Sequence, residues 1–354
     1  MRVAFRVDSS ILIGSGHIMR CLVLADTLRR RGDETIFLSK DLPGNLIELV
    51  RASGHETKSL SASAPNGEFD SDEDARQSLV AVAGGRQLDW TVVDHYRIDE
   101  RWEGAIRKCS RRVLVVDDLA DRRHACDVLL DPGYYEGDNR RYDGLVPPGC
   151  VLLQGPRFTL LRPEILEARR RARPRDGTVR RILLFFGGSD PTNQTSLALA
   201  GLRRVTPSRI SVDVVIGSSN PYAGEISRLC QLVKGAQLHV QTENMALLME
   251  AADLSFGAGG VAAWERCAVR LPSIVTVVAP NQSESMRKLA ARGAICLAGF
   301  HPDVTADIYA ALLESALRNP EELQQLAERA SEVMHGCEQA VEQCVTAMQR
   351  KSRQ

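Results

Sequence analysis

Short β-branched runs alternate with amphipathic stretches along most of the chain. Val3–Val7 reads as a strand and Ile18–Arg31 as a helix, with Thr35–Ser39 a second strand and Leu46–Ser53 a second helix. Trp90–Asp94 and Val113–Asp117 are further strands, separated by a helical Glu100–Ser110. A second series begins at Arg181–Phe186, a strand, followed by a helix over Thr195–Arg204 and a strand over Val212–Ile216. Helices at Asn244–Ala252, Ala262–Ala268 and Ser283–Arg292 then alternate with strands at Leu254–Gly257 and Ser273–Val278. From Thr305 the pattern is helical, broken at Asn319-Pro320. Strand–helix alternation of this kind predicts parallel sheets covered on both faces, hence an α/β fold built from two Rossmann-like halves.

Two stretches interrupt the rhythm. Ser61–Asp74 is rich in Ser, Ala, Asp and Glu and contains Pro65 and Gly67, so it reads as a solvated loop or insertion. Glu167–Arg181 is strongly basic, with Pro174 and Gly177 inside it, and reads as a connector. The expected division is therefore an N-terminal domain over 1–166, a basic linker over 167–180, and a C-terminal domain over 181–354.

Composition narrows the function. Forty-five basic residues are balanced by 45 acidic ones over 354 residues, which argues against nucleic acid as the main partner. The longest apolar runs, Ile182–Phe186 and Ile274–Ala279, fall far short of the ~20 residues needed to span a membrane. Arg2, Arg6 and Asp8 interrupt the first apolar run, so no signal peptide is expected. The 9 cysteines form no CxxC pair, which fits reduced thiols in a cytoplasm better than a disulfide framework or a zinc ribbon. A cytoplasmic protein is the simplest expectation, with no membrane partner, no cofactor and no metal; the sequence does not give the oligomeric state, for which a monomer is the default.

Glycine turns at strand ends carry the candidate chemistry. The strand through Val7 runs into Asp8, then Gly14-Ser15-Gly16-His17 at the start of a helix. Such a turn lets backbone approach a ligand, and the helix start offers N–H groups and positive potential to an anion. That potential disfavours an imidazolium, so His17 is a candidate proton acceptor. The dinucleotide fingerprint fails, because Met19 stands where its third glycine belongs. Asp94-His95-Tyr96 ends another strand, where open α/β sheets bind ligands. Asp117-Asp118, with His124 and Cys126 downstream, suits capping better than a metal. In the second half, Gly187-Gly188-Ser189 and Gly217-Ser218 follow strands, and Gly257-Ala258-Gly259-Gly260-Val261 leads into a helix carrying Glu265. Glu265 reads either as an acceptor for two ribose hydroxyls or as a surface acid. Asn281-Gln282 follows a strand and could simply cap the next helix. An anion-binding turn in each half fits a nucleotide-sugar enzyme better than a dehydrogenase with a single such turn.

Taken together, the strings FRVDSS…IGSGHIMRCLVLA, VVDHYRID, VVDDLADRRHACDVLL, GPRFTLLRPE, FFGGSDPTNQT, LMEAADLSFGAGG and WERC…LPS…APNQ resemble the PseG/SpsG family of UDP-sugar hydrolases. The resemblance implies a GT-B fold, with two Rossmann-like domains and an active-site cleft between them. It implies hydrolysis of UDP-2,4-diacetamido-2,4,6-trideoxy-β-L-altropyranose to UDP and the free sugar, a step of pseudaminic acid biosynthesis. His17 matches the family's base, Tyr96 and Asn281 match polar groups near the sugar, and Asp8 is a candidate to orient the base. The residues expected at UDP are Gly14, Gly16, Gly188, Ser189, Gly217, Met245, Gly259, Gly260, Val261 and Glu265. The chain departs from the family at Val261–Ala263, where hydroxyl residues are common, at Arg270, where a glycine is usual, and in the length of Ser61–Asp74. The alternatives are a GT-B glycosyltransferase with a UDP-sugar donor, a hydrolase of a related UDP-diacetamido-sugar, a non-catalytic nucleotide-sugar binder and, last, an NAD oxidoreductase.

Overall fold

The computed structural model describes residues 1–61, 69–135, 137, 140–205 and 209–352. Its strands are β1 Arg2–Val7, β2 Glu34–Lys40, β3 Glu56–Leu60, β4 Leu88–Asp94, β5 Ser110–Val116, β6 Val128–Asp131, β7 Val151–Gln154, β8 Arg181–Phe185, β9 Ser211–Ile216, β10 Ala236–Val240, β11 Leu254–Ala258, β12 Ser273–Val277 and β13 Cys296–Phe300. Its helices are α1 Gly16–Arg30, α2 Ile47–Ala52, α3 Ser71–Val82, α4 Glu100–Ile106, α5 Pro163–Arg171, α6 Gln194–Val205, α7 Ala223–Leu232, α8 Met245–Ala251, α9 Val261–Ala268, α10 Ser283–Ala291, α11 Ala306–Arg318, α12 Pro320–Val333 and α13 Ala340–Ser352.

The chain forms two compact units, Met1–Leu161 with Gly336–Gln354, and Arg162–His335. Unit 1 is built on a parallel sheet of order β3-β2-β1-β4-β5-β6-β7. Unit 2 has a parallel sheet of order β10-β9-β8-β11-β12-β13. Both reverse direction of winding beside their first strand, as Rossmann-like sheets do, and the loops at that reversal lie where α/β folds bind ligands. The central strands are buried on both faces, which explains their almost unbroken apolar runs. The strands that hydrophobic patterning does not reveal, β3, β6, β7, β10 and β13, lie at or next to sheet edges. Edge strands bury less surface, and β3 (Glu56-Thr57-Lys58-Ser59-Leu60) buries only Leu60.

Two expected boundaries differ from the observed ones. The stretch read as a linker over 167–180 begins inside α5, and its arginines are anchored within unit 2. Arg169 donates to the Ala268 carbonyl at 2.8 Å, Arg171 pairs with Glu250 at 2.9 Å and Arg173 with Asp253 at 2.9 Å. The final 19 residues, expected in the C-terminal domain, return to unit 1. There Cys344, Val345, Ala347 and Met348 of α13 enter the core formed by α1 and the sheet. The Trp90 indole N–H donates to Ser352 Oγ at 2.9 Å. Residues 62–68 of the expected Ser61–Asp74 loop lie outside the described residues. Its last residues open α3 instead, with the Asp70 carboxylate accepting from the N–H groups of Asp72 and Glu73.

Helices α1 and α9 end in the same way. In α1, Gly32 takes φ +85°, and the Gly32 and Asp33 N–H groups bond back to Arg29 and Leu28. In α9 the equivalent position is Arg270, at φ +58°, with Arg270 and Leu271 bonding back to Cys267 and Arg266. These are Schellman ends, in which a side chain at the left-handed position is disfavoured. Arg270→Gly should therefore stabilise the protein by about 0.5–1 kcal/mol, read as a raised midpoint in thermal unfolding.

Candidate active site

The register of unit 1 pairs Val7 at the end of β1 with Asp94 at the end of β4. The chain leaving β1 turns at Gly14, φ +81°, whose N–H donates to the Ser10 carbonyl at 2.8 Å, and enters α1 at Gly16. His17 and Arg20 then lie one helical turn apart, on the face toward Asp94. Asp94 is fully buried. Its Oδ1 meets His17 Nδ1 at 2.6 Å and accepts from Arg20 Nη2 at 2.6 Å, while Oδ2 accepts from Arg20 Nε at 2.6 Å and from the Cys21 thiol at 3.6 Å. Burial alone would raise the Asp94 pKa, but Arg20 and then His17 hold it well below the usual carboxylate range. An ionised carboxylate only accepts, so in neutral His17 the proton sits on Nδ1 and the lone pair is on Nε2.

Tyr96 meets the His17 ring edge-on, with centroids 4.9 Å apart. Burial and the neighbouring Asp118 push its phenol up, so it stays protonated. Asp118 is itself raised by burial, against the pull of Arg20, which lies 3.6 Å away, and with Asp117 adding to the rise. Asp117 is a capping residue: its Oδ2 accepts from the N–H groups of Leu119 and Ala120 and from the Tyr142 hydroxyl.

Asp8, expected to orient His17, bonds Arg6 instead, and the carboxylate that meets His17 is that of Asp94. Residues two apart on a strand share a face. Asp8 thus lies with Arg6, which bonds both of its oxygens, at 2.6 and 2.8 Å. Arg6 also grips Asp74 of α3 at 2.8 and 2.7 Å, and Trp102 Nε1 donates to the same carboxylate at 3.0 Å. His95 faces this network too. Its Nδ1 accepts from the Arg97 N–H at 3.2 Å, which leaves the proton on Nε2, 3.4 Å from Asp8. The alternation that sends Asp94 and Tyr96 toward His17 sends His95 the other way. The network pins α3 to the sheet.

In unit 2 glycine turns follow β8, β9 and β11, and those after the neighbouring strands β8 and β9 meet. Gly217 N–H donates to the Gly188 carbonyl at 2.8 Å, and a Cβ on Gly217 would lie 3.0 Å from Gly188 Cα. Ser189 follows in the same turn, before Asp190, whose oxygens cap α6 through the N–H groups of Gln194 and Thr195. Gly260, φ +76°, precedes α9, whose start at Val261 has no side-chain cap and no acidic residue in its first turn. Gly259 packs against Gln282, whose Oε1 accepts from the Val278 N–H at 3.1 Å. Gln282 thereby braces the turn, and Asn281 beside it is half-buried. Met245 is buried at the start of α8. Glu265 is not a surface acid: it is 5% exposed and takes a bidentate pair from Arg162, at 2.8 and 3.1 Å.

No protein-family model matches the chain. It is 28% identical over 250 residues, 70% of this chain and 81% of the other, to a UDP-2,4-diacetamido-2,4,6-trideoxy-beta-L-altropyranose hydrolase of Campylobacter jejuni subsp. jejuni. It is 27% identical over 301 residues, 83% of this chain and 82% of the other, to the spore coat polysaccharide biosynthesis protein SpsG of Bacillus subtilis. In sequence the chain is thus similar over most of its length to this hydrolase and to SpsG. In fold it is similar to the crystal structure of Acinetobacter baumannii MurG, with a TM-score of 0.66, 15% identity and 99% of each chain covered. The fold is GT-B. One of the strings behind the resemblance, IGSGHIMRCLVLA, already contained Arg20, which follows His17 at helical spacing.

Two measurements test this geometry. Nitrogen NMR in mildly alkaline solution should show His17 protonated on Nδ1, and Asp94→Asn should abolish that preference. Asp8, Asp74 and Asp94 all titrate below their ordinary values, so the stability they supply is present above about pH 4 and lost as the pH falls below it. Asp8→Asn should cost about 3 kcal/mol at neutral pH in urea denaturation, and the variant should lose less stability than the wild type on acidification.

Proposed function

We propose that the protein hydrolyses UDP-2,4-diacetamido-2,4,6-trideoxy-β-L-altropyranose to UDP and 2,4-diacetamido-2,4,6-trideoxy-L-altrose, in pseudaminic acid biosynthesis. The observation that carries this reading is the Asp94–His17 pair at 2.6 Å, in a chain related over most of its length to a hydrolase of that sugar nucleotide. A water oxygen attacks the sugar C1 while its proton passes to His17 Nε2. The C1–O bond breaks, and the electron pair leaves with the β-phosphate of UDP. Attack opposite the leaving group inverts the configuration, as in inverting glycosidases.

Asp94 plays the part of a carboxylate that orients an imidazole and stabilises it once charged. Tyr96, a neutral phenol beside His17, positions the water or the sugar. Asn281 carries over from the family as a second polar group for the same task. On unit 2, the N–H groups at the start of α9, after Gly259, Gly260 and Val261, suit the diphosphate. With those donors the scheme needs no metal. Glu265, held in place by Arg162, keeps lone pairs for the ribose hydroxyls. We place the reaction in the cytoplasm, in keeping with nine free cysteines. Among the described residues no helix is long and apolar enough to cross a membrane.

The second reading, a glycosyltransferase, is favoured by the likeness to MurG, and one experiment separates the two. Incubated with the UDP-sugar in oxygen-18 water without acceptor, a hydrolase releases UDP and places the label on the sugar. Release only on addition of an acceptor would support the transferase, and label on phosphate would move the attack away from C1. His17→Leu should abolish turnover while leaving UDP affinity within about threefold of wild type, and Asp94→Asn should lower kcat by about 10²–10⁴. Near-normal kcat in either variant would overturn the assignment.

A further inference from the structure

Arg266 is fully buried on α9, yet among the described residues it hydrogen-bonds to no carboxylate. Its Nη2 donates to the Ala258 carbonyl at 2.6 Å, while Nε and Nη1 have no hydrogen-bond partner among the described residues. The neighbouring Glu265 hydrogen-bonds to Arg162 instead, and its charge reaches Arg266 only through space. Side chains on a helix lean toward its N-terminus, so Arg266 reaches back beneath the turn that precedes α9. Gly257 makes room for it: a Cβ there would lie 2.6 Å from Arg266 Nη1 and 3.0 Å from its Cζ. Burial lowers the Arg266 pKa to about 10, which still leaves the group charged at neutral pH.

A comparison within unit 2 shows how unusual this is. Arg175 is also buried without a hydrogen-bonding carboxylate, and burial likewise lowers it to about 10. Arg175, however, donates to the carbonyls of Arg270, Ala252, Met249 and Val269, at the C-terminal ends of α8 and α9. Those ends carry negative potential and balance its charge. Arg266 has one carbonyl and lies under the end of β11, next to the positive start of α9. A buried cation left unpaired is destabilising, and an anion on the turn would relieve it.

We propose that Arg266 is a positioning residue for a nucleoside diphosphate: it fixes the Ala258 carbonyl and lends positive charge to the Gly259-Gly260 turn, so that unit 2 is charge-balanced there only with the diphosphate seated. This rests on the reading of unit 2 as the UDP-binding unit. Through-space attraction of this kind acts on the diphosphate and leaves the uracil and ribose contacts alone.

The test is calorimetric titration of the full-length protein with UDP and, separately, with uridine. Arg266→Met should weaken UDP about tenfold or more while changing uridine by less than about twofold, and Arg266→Lys should keep UDP within about threefold of wild type. Without nucleotide, the melting temperature of Arg266→Met should equal or exceed that of the wild type, because an unpaired buried charge has gone. If the Met variant does not fold, Arg266→Gln, which keeps a donor for Ala258, is read in the same way. Unchanged UDP affinity in the neutral variant, or parallel loss of UDP and uridine, would overturn the proposal and leave the UDP-binding reading standing. A wild type that binds no UDP would overturn both.

Discussion

The buried carboxylate of Asp94 is the constraint on which the candidate site depends. A charge removed from water must be matched and hydrogen-bonded, or the group gives up its charge. Here both oxygens are bonded by Arg20, and the remaining acceptor capacity takes the His17 imidazole and the Cys21 thiol. That saturation fixes the tautomer of His17 and therefore which of its nitrogens keeps a lone pair. The three groups meet because β1 and β4 are neighbours at the point where the sheet reverses its winding.

Period-two alternation then separates two charge systems that sit close together in sequence. Asp94 and Tyr96 contact His17, while Arg6, Asp8, Asp74 and His95, with Lys40 and Trp102, form a second network that ties α3 to the sheet. Arg6 is fully buried between two carboxylates, and each carboxylate is held ionised by it. A one-residue slip in either strand would exchange members of the two systems, so register here has chemical as well as packing consequences.

Unit 2 relies on backbone more than on side chains. Its turns are admissible because a Cβ on Gly217 would crowd the Gly188 backbone at 3.0 Å, and because Gly260 takes a left-handed conformation. The absence of hydroxyl side chains at Val261–Ala263 leaves the N–H groups of α9 as the donors at that turn. The ion pair between Arg162 and Glu265 makes α5 and its approach part of the same structure as α9, which is why the chain joins unit 2 before the basic run begins.

Much was legible in the sequence. The apolar runs of the central strands are long because those strands are buried on both faces, and the glycine turns must follow them where a backbone has to bend sharply. From these came the α/β class, the two Rossmann-like halves and His17 as candidate base. What tertiary structure alone decided were relations between distant residues. Asp94 rather than Asp8 faces His17 because facing direction depends on register between β1 and β4, and register is not written in either strand by itself. Glu265 is buried because Arg162, 103 residues earlier, comes to meet it. The last helix belongs to unit 1 because its apolar stripe finds a complementary face there, and an amphipathic pattern states that a partner exists without saying which.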